Sequence, residues 1–76
     1  MDIKILMEDV DFYIRTRFKE IRQSCSMTQQ QMAKELGMKF RGYQDYETGA
    51  RRPSSKTIVS FCKITNTTIQ DFFKDF

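Results

Sequence analysis

Residues 28–54 read TQQQMAKELGMKFRGYQDYETGARRPS, and this stretch decides the fold. Thr28 followed three residues later by Gln31 has the spacing of a capping box, which predicts a helix N-terminus at Thr28. Met32, Ala33 and Leu36 recur at helical spacing and form one inner face. Gly37 then fits a left-handed C-cap, where a side chain would cost roughly 1 kcal/mol. A second helix is expected from Lys39 to Thr48, with Tyr43, Tyr46 and the edge residue Phe40 apolar, and Gly49 stops it. Ala33 is small where the two helices would cross closely, while Met38 and Tyr46 anchor the turn and the second helix. A plain helical bundle would meet some of these demands; the ordered spacing from Thr28 to Pro53 is more specific.

Working outward, Ile14, Phe18, Ile21 and Cys25 make one apolar stripe, which predicts a helix from Asp11 to about Ser24 capped by Asp9 or Asp11. On the other side lies the basic loop ARRPSS, with Pro53 near the start of a helix over Ser55 to Thr65. Ile58, Phe61, Cys62 and Ile64 face inward there, and Asn66 can take the left-handed C-cap. Thr68 caps a short last helix whose apolar residues are Ile69, Phe72 and Phe73. No segment alternates over four to eight residues, so no sheet is expected; only Ile3 to Met7 could add an edge strand or an arm. The expected fold is therefore all-α, a compact bundle of about five short helices. Residues 1–10 read as an N-terminal extension or arm, and 11–76 as one domain.

Composition narrows the function. Seventy-six residues make one domain at most, without room for a deep substrate cleft. The net charge of +3 is unevenly placed. Residues 1–14 hold Lys4 against Asp2, Glu8, Asp9 and Asp11, whereas residues 15–63 hold eleven Lys and Arg against Glu20, Glu35, Asp45 and Glu47. A basic middle with acidic ends suits a domain that turns one face to a polyanion, and equally an ordinary solvated surface. There is no histidine, no Cys–His pair and no Gly-rich phosphate loop, so an enzyme is not expected. The two cysteines, Cys25 and Cys62, do not make a zinc set and read as two buried thiols in a reducing cytoplasm. No metal or cofactor is expected. The longest apolar run, Ile5 to Met7, is far below the ~20 residues of a membrane span.

At Phe18, Ile21, Arg22, Met27-Thr28-Gln29, Met32-Ala33, Leu36-Gly37-Met38, Tyr43, Tyr46-Glu47, Gly49 and Pro53-Ser54 the chain resembles the Cro/repressor-type (Xre, lambda-repressor-like) helix-turn-helix family. The resemblance covers about residues 14–73 and runs through the core motif without a gap. It implies a sequence-specific transcriptional regulator, a repressor or controller, that sets helix 39–48 into the major groove of double-stranded DNA.

The resemblance also assigns roles. Lys39, Phe40, Arg41, Gln44 and Asp45 occupy the exposed side of the recognition helix. Arg41 is the first choice for direct readout, because its fork matches guanine O6 and N7. Phe40 fits contact with a thymine methyl or the edge of the core. Gln44 suits adenine or the backbone, while Asp45 suits cytosine N4, the orienting of Arg41, or plain solvation. Gln29 is expected at a phosphate, bracing the recognition helix, and Thr28 can add its backbone amide at the same helix N-terminus. Arg51 and Arg52 suit phosphate contact. Arg22 and Glu47 are expected to form a structural salt bridge between the first and third helices.

Several departures from the family pattern stand out. Lys39 sits where a Ser or Thr N-cap is usual, and Gly42 falls one turn into the recognition helix. Tyr43 replaces an aliphatic residue, which puts its hydroxyl near the surface or at a phosphate. Ser55 and Thr65 replace apolar residues, so the core at the fourth helix is expected to be thinner. Reading by this motif normally uses two half-sites about 34 Å apart, which implies a homodimer. The apolar end IQDFFKDF, with Phe72, Phe73 and Phe76, is the favoured contact, and IKILM the other candidate. The alternative reading is an antitoxin-type module that holds a partner toxin through its acidic first fourteen residues, with DNA autoregulation secondary. Either role belongs in the cytoplasm of a bacterium or its phage.

Overall fold

Phe18 lies at the centre of what the helices bury, and a computed structural model describes how residues 7–76 close around it, with side chains from Asp9 onward. Five α-helices are described: α1 over Met7–Ser24, α2 over Gln29–Glu35, α3 over Phe40–Thr48, α4 over Ser55–Thr65 and α5 over Ile69–Phe72. Among the described residues there is no strand. Of the candidate arm or strand over residues 3–7, Met7 is helical and the rest lies outside the described residues.

Local sequence explains the helix ends. Thr28 and Gln31 form the capping box in both directions: the Gln31 amide donates to Thr28 Oγ1 at 3.0 Å, and the Thr28 amide to Gln31 Oε1 at 2.8 Å. Gly37, just past α2, takes φ +70°. Gly49 ends α3 at φ +86°, and Asn66 ends α4 in the left-handed region. Ser54 and Thr68 accept amide hydrogen bonds at the starts of α4 and α5. Lys39 provides no side-chain cap for α3.

The start of α1 corrects the sequence reading. Helix already covers Met7, so Asp9 and Asp11 lie inside α1 rather than capping it. Acids favour the first turns of a helix as much as its cap, because the macrodipole is positive there. Periodicity alone could not separate the two positions.

The core is mainly aromatic. Phe18, Tyr43, Phe61 and Phe72 are wholly buried, with Met32, Ala33, Ile21, Tyr46 and Cys62 around them. The Phe18 ring stacks on Phe61 at 4.2 Å between centroids and meets Tyr46 and Phe72 edge-on. Each such aromatic pair adds about 0.5–1.5 kcal/mol beyond its buried area. Thr65, expected to thin this region, returns its hydroxyl to the Phe61 carbonyl at 2.9 Å. Cys25 departs from expectation: it is exposed, because α1 ends at Ser24 and its apolar stripe ends with it.

The C-terminal turn is strapped to α1. The Tyr13 hydroxyl donates to the Phe72 carbonyl at 2.9 Å, and Arg17 donates to the same carbonyl and to that of Asp71. Phe73 and Phe76 both pack on the Tyr13 ring, although Phe76 stays half exposed. Among the described residues no helix is long and apolar enough to cross a membrane.

Candidate nucleic-acid interface

α2, the turn at Gly37 and α3 present one polar surface, and its foundation is a single carboxylate. Glu47, on the last turn of α3, accepts from Arg22 of α1, Nε to Oε2 at 2.7 Å and Nη2 to Oε1 at 3.1 Å. The third arm of that guanidinium donates to the Met27 carbonyl at 2.8 Å, fixing the break between α1 and α2. Gln29, at the start of α2, donates to Glu47 Oε1 at 3.0 Å, and Gln44 donates weakly to Gln29 at 3.4 Å. One chain of hydrogen bonds thus joins three helices. Burial pushes the Glu47 carboxyl up, but the bonds from Arg22, Tyr43 and Gln29 outweigh it and hold the group below its ordinary range. The Arg22 guanidinium is raised, chiefly by its hydrogen bond to Glu47.

The expected pairing of Arg22 with Glu47 is therefore present, and Gln29 braces α3 as expected. The placement of Tyr43 is a correction. Its hydroxyl does not reach the surface or a phosphate; the side chain is wholly buried and the hydroxyl donates to Glu47 Oε2. Burial, then the Glu47 carboxylate, raises its pKa and keeps it a donor. Thr28 is likewise corrected, since its backbone amide is already engaged by Gln31. The donors left at that end of α2 are the amides of Gln29 and Gln30.

The structure brings the predicted readout residues together on the outer side of α3. Lys39 and Phe40 are exposed, and the Arg41 side chain is 85% exposed. Asp45 lies one turn on, with Oδ1 3.6 Å from Arg41 Nε, so it can orient that fork. Gln44 is half-buried at the α2 side of the same face. At Gly42 a Cβ would lie 3.1 Å from the Met38 methyl and 3.8 Å from Arg51 Nη1, both ends of flexible side chains. Arg51 lies over the Tyr46 ring at 5.9 Å, and Arg52 donates through Nε to Asp11 Oδ2 at 2.8 Å. Both arginines are exposed on the loop after α3.

Sequence reading missed Asp11 and Arg15, which reach that loop from α1. Their spacing of four on one helix face was legible, but nothing marked what the face meets.

A Helix-turn-helix family model matches residues 18–72, most of the chain, from Phe18 in α1 to Phe72 at the end of α5. The chain belongs to the helix-turn-helix family, of Cro/repressor type. A protein of Archaeoglobus fulgidus described as an uncharacterized HTH-type transcriptional regulator is 35% identical over 60 residues, 79% of this chain and 84% of its own length. One of the same description from Sinorhizobium medicae is 27% identical over 66 residues, 87% of this chain and 48% of its own. The HTH-type regulator YqaE of Bacillus subtilis is 34% identical over 56 residues, 74% of this chain and 48% of its own. The chain thus spans most of the archaeal relative and about half of the other two. No solved structure matches. Membership sets the chain in a DNA-binding class of regulators and outside the enzymes.

Proposed function

We propose that the protein is a sequence-specific transcriptional repressor or controller that inserts α3 into the major groove and binds as a homodimer. The carrying observation is that Glu47 locks α3 to α1 and α2 from behind, while Arg41, Lys39 and Phe40 are exposed in front. A helix held rigidly on one side and bearing an exposed guanidinium on the other suits base readout, since preformed geometry limits the entropy lost on binding. Arg41 reads guanine and Asp45 steadies it; Phe40 meets a thymine methyl, and Gln44 and Lys39 complete the contact. Gln29, Arg51 and Arg52 grip phosphates, giving affinity without sequence preference. Tyr43 has no part in that grip.

The homodimer is supported by the size of the module, which reads too few bases alone, and by exposed Ile69 and Phe76 at the C-terminal end. Such a regulator works beside its DNA, in the cytoplasm. The toxin-holding alternative rests on residues 1–14, where Asp11 is already engaged by Arg52.

Selection of bound duplexes from a random pool tests the proposal. The expected product is a palindrome with half-sites about one helical turn apart, bound less tightly as salt rises. Recovery of no shared sequence would overturn it.

A further inference from the structure

We infer that Asp11 and Arg15, one turn apart on α1, are positioning residues for DNA binding: they hold the loop after α3 so that Arg51 and Arg52 face the phosphate backbone. This inference rests on the DNA-reading role proposed above.

The two links close on the loop from opposite ends. Arg15 Nη1 donates to the carbonyl of Thr48, the last residue of α3, at 3.2 Å. That carbonyl is one of the unpaired acceptors of a helix C-terminus, and a cation is favoured there by the macrodipole. Gly49 makes the approach possible: a Cβ at this position would lie 2.1 Å from Arg15 Nη1. At the other end, Asp11 Oδ2 takes Arg52 by Nε at 2.8 Å. Among the described residues this is the one hydrogen bond of Arg52, and its side chain is 65% exposed, so both terminal nitrogens are available to a ligand. Held by Nε, the fork is aimed rather than consumed.

A partly open pocket of about 160 Å³ lies between α1 and this loop, lined among others by Val10, Ile14, Tyr46 and Pro53. Across this pocket the polar links at Thr48 and Arg52 tie the loop to α1, while the Arg51 amide ties it to α3 through the Asp45 carbonyl at 3.1 Å. Asp11 therefore acts in the opposite sense to its charge. An acid near a polyanion repels it, yet this acid presents a cation to it.

That opposition makes a cycle decisive. Affinity for the pool-selected duplex is measured for the full chain, Asp11→Asn, Arg52→Gln and the double variant, with thermal unfolding followed alongside. Asp11→Asn is expected to weaken binding about threefold to fivefold in the original background and not to weaken it beside Arg52→Gln. Equal tightening in both backgrounds, as plain repulsion gives, or no change in either, would overturn the inference. Arg15→Gln is expected to weaken binding while leaving the slope of log affinity against log salt unchanged. A slope reduced by about one would show Arg15 on a phosphate itself and overturn its positioning role. Failure of the unmodified chain to prefer any sequence would overturn the DNA reading first, before the variants are compared.

Discussion

Arg22 and Glu47 meet through two parallel hydrogen bonds, 2.7 and 3.1 Å, with 10% and 4% of their side chains exposed. The pair joins α1 to the recognition helix across a sequence separation of 25. Removing one partner strands a buried charge, which costs about 3–5 kcal/mol, even though an intact buried pair need not add net stability. Arg22→Ala is accordingly expected to lower the unfolding free energy by about that amount in denaturant titration.

The same pair sets an acid limit. The Glu47 carboxyl is depressed in the folded state below its ordinary value of 4.5. A depressed acid contributes stability that is present above the unfolded pKa and is lost as pH falls through the folded one. The stability difference between the protein and Glu47→Gln should be constant near neutrality and shrink below about pH 4.5. A difference that holds to pH 2 would exclude Glu47 as the titrating group.

Tyr43→Phe separates a structural hydroxyl from a phosphate contact. The variant loses one donor to Glu47 while the ring stays packed against Phe18. Stability should fall by about 1.5–3 kcal/mol, the range for a hydrogen bond to a charged group, with the salt dependence of DNA binding unchanged. A salt slope smaller by about one would return the hydroxyl to the phosphate backbone.

Two glycines should answer alanine in opposite ways. At Gly42 a Cβ would come 3.1 Å from the mobile methyl end of Met38, which can yield, so the gain in helix propensity of up to about 1 kcal/mol dominates. At Gly49 the left-handed backbone and the Arg15 guanidinium both oppose a Cβ, and the loss should exceed about 1 kcal/mol. Thermal unfolding of the two variants should shift in opposite directions.

The helix caps were legible in the sequence because their partners lie within four residues: Thr28 with Gln31, Gly49 closing α3, Thr68 opening α5. Arg22 and Glu47 became legible through the family resemblance, since no local pattern links residues so far apart. The fate of Tyr43 was not legible. A tyrosine hydroxyl goes wherever an acceptor faces it, and here the acceptor is one turn along the same helix, turned inward by Arg22. Asp11 reads as a cap in the sequence because an acid opening an apolar period looks the same in either role. Its partner Arg52 lies 41 residues away. For the readout face the residue types were legible, and among the roles open to Asp45 its Oδ1, 3.6 Å from Arg41 Nε, fits the orienting of Arg41.

The central claim is that α3 reads bases through Arg41. It is tested most directly by selecting duplexes from the same random pool with the protein and with Arg41→Ala. The expected result is loss of preference at one guanine per half-site, worth about 1–3 kcal/mol of discrimination, with the remaining positions retained. An identical selected sequence from both proteins would contradict the account.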